Sequence, residues 1–85
     1  MGRTLNVSES GILLETHIPL DLKNQVSVTI ALDEDLISLK GSIVRTGVGR
    51  DGMYEAGIAF SEITDAEKIV LGEYIKIFLS EYGLA

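Results

Sequence analysis

Thr4-Leu5-Asn6-Val7-Ser8-Glu9-Ser10-Gly11-Ile12-Leu13-Leu14 places a polar break between two short apolar runs. Ser, Glu and Gly are turn formers, so the stretch reads as two strands joined by a tight reversal. Gly11 is expected to supply the positive φ that such reversals often require. Asn6 and Ser8 lie two residues apart. In a strand that spacing puts both side chains on one face, beside the turn. An amide and a hydroxyl at the lip of a sheet would form a small polar site for the planar edge of a ligand. The same residue types are also ordinary in turns, and taken alone they favour that plainer reading.

Strands are expected at 3–7 and 11–16 on either side of the turn. Residues 17–24 form a loop, in which Pro19 lacks an N–H and fits poorly in a central strand. Asn24 is expected to take the left-handed conformation there. Residues 25–33 alternate with period two: Val26, Val28, Ile30 and Leu32 on one face, Ser27, Thr29, Ala31 and Asp33 on the other. Asp33-Glu34-Asp35 is an acidic turn. Three adjacent carboxylates raise the idea of a metal site, but no oxygen-ligand loop pattern follows, and a solvated hairpin loop fits better.

A long strand is expected at 36–46. Ile37, Leu39, Gly41 and Ile43 share one face, and Ser38, Lys40, Ser42 and Val44 the other. Gly41 within it suggests a bend or bulge. Residues 47–52 form a glycine-rich hairpin loop. It lacks the Lys-Ser/Thr pair and following helix of a phosphate-binding loop. Residues 53–60 return as a strand, with Tyr54, Ala56, Ile58 and Phe60 on one face.

After residue 63 the period changes. Thr64-Asp65-Ala66-Glu67 is a capping box, and Asp65 and Glu67 also suit the positive end of a helix dipole. The helix is expected to run from about Asp65 to Glu81 or Tyr82 and to stop at Gly83. Val70, Leu71, Tyr74, Ile75, Ile77, Phe78, Leu79 and Tyr82 cover an arc of roughly 200°, about twice the stripe of a one-sided surface helix. Such a helix needs a groove or a second covering surface.

The sequence has 85 residues, 46% of them hydrophobic, with a net charge of −6. That length suits one domain, 1–85, with a modest core, and the apolar content excludes a disordered chain. No apolar run is long enough to span a bilayer, so no membrane insertion is expected. The N-terminus has no signal-peptide core, and there are no cysteines. A cytoplasmic protein is therefore expected. The acidic balance argues against DNA or RNA as partners, whose binding depends on phosphate neutralisation. His17 is the sole histidine, which disfavours a Ser–His triad or a histidine metal site. Tyr74, Phe78 and Tyr82 lack the basic neighbours of a base-stacking platform. The expected fold is mainly β: a small antiparallel barrel of Greek-key-like type closed by one C-terminal helix.

Several motifs together resemble the PilZ domain family, bacterial receptors for cyclic di-GMP. Asn6-Val7-Ser8-Glu9-Ser10-Gly11 matches the family's Asp/Asn-x-Ser-x-x-Gly. Gly41-Ser42-Ile43-Val44-Arg45 is similar to its Gly-x-Val-Val-Arg strand. Gly57-Ile58-Ala59-Phe60 resembles its Gly-x-x-Phe strand, and Ile63-Thr64-Asp65-Ala66-Glu67 the start of its helix. The resemblance implies a barrel of about six strands with a following helix, and a non-enzymatic module needing no cofactor or metal. It also implies that cyclic di-GMP is held through Asn6, Ser8 and Gly11.

Two departures stand out. The family's Arg-x-x-x-Arg has no match here, and Arg3 is the only basic residue before the turn. Relative to the family, the chain also starts one strand late. Binding of cyclic di-GMP by this chain alone is therefore expected to be weak or absent. The alternative is a PilZ-like adaptor in motility, pilus or biofilm regulation, working through a protein partner. Homo-oligomers are expected in either case, through the helix face of Val70, Tyr74, Ile77 and Phe78 or through the edge strand 3–7.

Overall fold

The computed structural model describes residues 2–32 and 35–81. It contains strands β1 (Gly2–Val7), β2 (Gly11–Thr16), β3 (Gln25–Leu32), β4 (Asp35–Val48) and β5 (Tyr54–Phe60), then helix α1 (Asp65–Glu81). Of the expected acidic turn Asp33-Glu34-Asp35, Asp35 opens β4, while Asp33 and Glu34 lie outside the described residues, as do Tyr82 and the Gly83 stop. All strand pairs are antiparallel, in the order β1-β2-β5-β4-β3. Strand β2 pairs with β5 rather than with β3, its successor in the chain. The mainly β fold and its C-terminal helix are as expected, with the sheet curled into a half-barrel.

The alternation of apolar residues accounts for the curl. Val7, Ile12, Ile58 and Ile43 stand in one transverse row on the inner face, and all four are buried. Ile30, Leu39, Leu71 and Phe78 complete the core around them. Each such side chain contributes about 1.5–3 kcal/mol by leaving water, and a flat sheet would leave this row uncovered.

Helix α1 starts with both bonds of a capping box. The Thr64 N–H donates to Glu67 Oε1 at 2.9 Å, and the Glu67 N–H donates to Thr64 Oγ1 at 3.2 Å. The helix packs on β3 and β4. A bond of 2.7 Å between the Tyr74 and Thr4 hydroxyls ties it to β1 as well. The concave face takes Leu71 and Phe78 fully, and Tyr74, Ile75 and Leu79 in part. No helix among the described residues is long and apolar enough to cross a membrane.

Four local expectations need correction. Gly11 does not have a positive φ; Gly52 is the only glycine that does among the described residues. Gly11 instead answers a close approach, since a Cβ there would fall on the Ile58 carbonyl oxygen. Gly41 marks no bulge. It lies in regular register, where a Cβ would sit 2.6 Å from Ile58 Cγ2 and 2.7 Å from the Ala59 oxygen. The left-handed residue of the β2–β3 loop is Lys23, at φ 70°, and not Asn24. The Asn24 carbonyl already accepts the Ile43 N–H at 3.0 Å, which holds its backbone in place. Finally, Phe78 and Tyr74 serve the core, so the helix face proposed for self-association is not free as drawn. The large apolar side chains that α1 exposes among the described residues are Ile69 at 70% and Ile77 at 41%.

Candidate functional site

An open cavity of about 360 Å3 lies on the outer face of the sheet, beside the β1–β2 turn. Asn6, Ser8 and Gly11 all line it, together with Leu13, Arg45 and Gly57. The strand register explains how these residues meet. One step from the buried row runs a second row, Asn6–Leu13–Gly57–Arg45, across β1, β2, β5 and β4. Side chains alternate along each strand, so this row faces out where its neighbour faces in.

Two irregularities put its polar ends outside. The register of β1 shifts between Thr4 and Asn6, and that of β4 between Ile43 and Arg45. Each shift inserts one unpaired residue, Leu5 or Val44. In a regular β1, Asn6 would oppose Ile12 and point into the core. In a regular β4, Arg45 would oppose Ala56, which is also buried. An extra residue reverses the facing of all that follow it, and bulges re-aim side chains in this way.

The turn itself is held by its own polar groups. The Ser8 N–H donates to the Gly11 carbonyl at 2.9 Å, and the Ser10 N–H donates to Ser8 Oγ at 3.3 Å. The Ser8 and Ser10 hydroxyls are 3.2 Å apart. Asn6 Oδ1 accepts the Val7 N–H at 2.9 Å. That bond commits the amide oxygen and leaves the Asn6 NH2 group, with two donors, at the exposed surface. An aspartate in its place would offer acceptors only.

The cations are distributed unevenly. Arg3 pairs across β1–β2 with Glu15 at 3.3 Å, and Glu15 is largely buried. Arg50 is exposed in the β4–β5 loop, away from the cavity lining. Arg45 lies over Gly57, with Cβ 3.3 Å and Nε 4.0 Å from where a Gly57 Cβ would stand. Among the described residues no carboxylate is within ion-pair distance of Arg45. His17 is exposed in the β2–β3 loop.

Sequence reasoning offers Arg45 only as one of three candidate cations, with Arg3 and Arg50, and does not single out Leu13 or Gly57. Strict alternation along β4 continues Ile37, Leu39, Gly41 and Ile43 to Arg45 on the core face, and the bulge that breaks it leaves no sequence mark. The sequence model of the PilZ domain matches residues 1–76 of the chain. No curated protein and no solved structure matches it.

Proposed function

The chain belongs to the PilZ domain family, and from that premise we propose that it is a non-enzymatic cyclic di-GMP sensing module of bacterial signalling, working in the cytoplasm. The supporting observation is that Asn6, Ser8 and Gly11, the three fixed positions of the family's turn motif, line a single cavity. In this reading the Asn6 NH2 and the Ser8 hydroxyl bond the nucleotide. Gly11 keeps the turn low enough for the ligand to approach.

Magnitudes bound how tightly such a site holds. Neutral hydrogen bonds contribute about 1 kcal/mol each, whereas micromolar affinity takes about 8 kcal/mol. Tight binding therefore needs added cations, from a segment upstream of this stretch or from a neighbouring chain. Calorimetric titration of the chain with cyclic di-GMP at moderate salt tests the reading. Weak binding is expected, and Asn6→Ala and Ser8→Ala should each weaken it by about tenfold, the loss of one directional bond. Binding indifferent to both substitutions would place the nucleotide elsewhere.

A second reading, an adaptor that binds no nucleotide and self-associates, draws on a different observation. Strands β1 and β3 end the sheet, and each has one edge without a strand partner among the described residues. Open edges accept strands from other chains. Strand β3 is the better template, because its pairing with β4 is regular while β1 carries a bulge. No binding even at millimolar cyclic di-GMP, by this chain or a longer protein containing it, would leave the adaptor as the function.

A further inference from the structure

We propose that Arg45 is the anion-binding group of the outer cavity, holding a phosphate of the ligand whose other edge meets Asn6 and Ser8. The site then spans four strands and is built by the two bulges together. The bulge at Leu5 turns Asn6 outward on β1, and the bulge at Val44 turns Arg45 outward on β4. Both fall on the same transverse row. Either irregularity alone would leave one end of that row pointing into the core.

The floor between the two ends suits a flat ligand. Leu13 is apolar and half-buried, and Gly57 has no side chain. Because Gly57 is bare, the Arg45 side chain lies over β5, with Nε 4.0 Å from the empty Cβ position. The backbones of β1 and β4 are three strand spacings apart, about 14 Å. By leaning inward, the guanidinium shortens the gap to Asn6 to roughly two spacings, about 10 Å. Any larger residue at 57 would push it outward.

Charge supports the same assignment. Arg3 is already matched by Glu15, whereas Arg45 has no carboxylate partner among the described residues. A planar guanidinium grips phosphate with two parallel bonds, and an ammonium does not. For the identity of the ligand the proposal rests on the nucleotide reading above; for the anion site it rests on the Asn6–Arg45 row alone.

The test is an NMR titration of the whole chain, following the Arg45 Nε–H signal and the backbone amides. Two probes are used in turn: inorganic phosphate and cyclic di-GMP. The variants are R45Q, R45K and, as a control with the same charge change away from the cavity, R50Q. Expected is a shift of Arg45 Nε–H with both probes, together with the amides of Ser8, Gly11 and Gly57. R45Q should weaken both by about tenfold or more, the loss of a charge-assisted pair, and R50Q should leave both unchanged. R45K should retain phosphate better than the nucleotide. The slope of log affinity against log salt should fall by about one in R45Q, as for one lost phosphate contact. Phosphate binding that R45Q abolishes, with no cyclic di-GMP binding, upholds the anion site and removes the nucleotide reading. Nucleotide binding that R45Q leaves intact does the reverse. No shift at Arg45 with either probe, or an equal loss in R50Q, overturns the proposal.

Discussion

At the scale of single residues, the glycines of this chain work through missing side chains more than through unusual backbone angles. Gly11 lets β2 close on β5, and Gly57 lets Arg45 lie flat over the sheet. The two differ in what a methyl group would meet. At Gly11 it meets the Ile58 backbone, which has nowhere to go; at Gly57 it meets the Cβ of an exposed side chain. Gly11→Ala should therefore destabilise the fold by about 1–3 kcal/mol, the usual cost of overpacking. Urea denaturation reads this as a lower midpoint with an unchanged slope. An unchanged midpoint would mean that β2 and β5 separate freely at that point, and the packing role given to Gly11 would fall.

Among the elements, α1 is the one whose ends and faces have separate causes. Its start is local: Thr64 and Glu67 satisfy each other's backbone N–H groups within one turn. Thr64→Ala should cost about 1 kcal/mol, as for other lost N-caps. A melt followed by helix circular dichroism should show the loss, and Thr64→Ser should largely restore it. Equal stability in the two variants would show that packing alone fixes the start. Its buried face, by contrast, is set by the sheet. The concavity accepts Leu71, Tyr74, Ile75, Phe78 and Leu79 but leaves Ile69 and Ile77 outside. The apolar arc drawn from spacing is thus wider than the part the core uses.

For the whole molecule, the open sheet is the feature with the largest consequence. Five strands curl without closing, and the helix bridges from β3 and β4 to Thr4 of β1. A cavity of about 590 Å3 remains on the concave side, lined by Thr4, Leu14, Val28 and Tyr74 among others, and among the described residues the outer edges of β1 and β3 keep backbone groups that a further strand would satisfy. Dimers or larger assemblies are expected at tens of micromolar in analytical ultracentrifugation. Thr29→Lys, a charge on the regular edge β3, should shift the population towards monomer if edges pair. Ile77→Lys should do so if the outer side of α1 is used. A clean monomer before any substitution would mean that water alone satisfies these edges.

The sequence by itself determined where the strands and the helix lie. Alternation of β-branched residues in Gln25–Leu32, the turn formers from Ser8 to Gly11 and the Thr64–Glu67 box are local signals, and local hydrogen bonding and side-chain periodicity act over a few residues. The motif series also sufficed for the family, and Asn6, Ser8 and Gly11 are the positions it proposes for the ligand. Only the tertiary structure decided what shares a face with them. Period two extrapolates without error until an unpaired residue enters, and whether one enters depends on the partner strand. Nothing in Thr4-Leu5-Asn6 or Ile43-Val44-Arg45 marks Leu5 and Val44 as the extra residues. Leu5 becomes so because Val7 meets Ile12 in the core although Thr4 still opposes Leu14; Val44 becomes so only in the pairing with β5, since Ile43 meets Ile58 with or without an extra residue after it. The two register shifts together, on β1 and on β4, send Asn6 and Arg45, far apart in the chain, to the same side of the sheet.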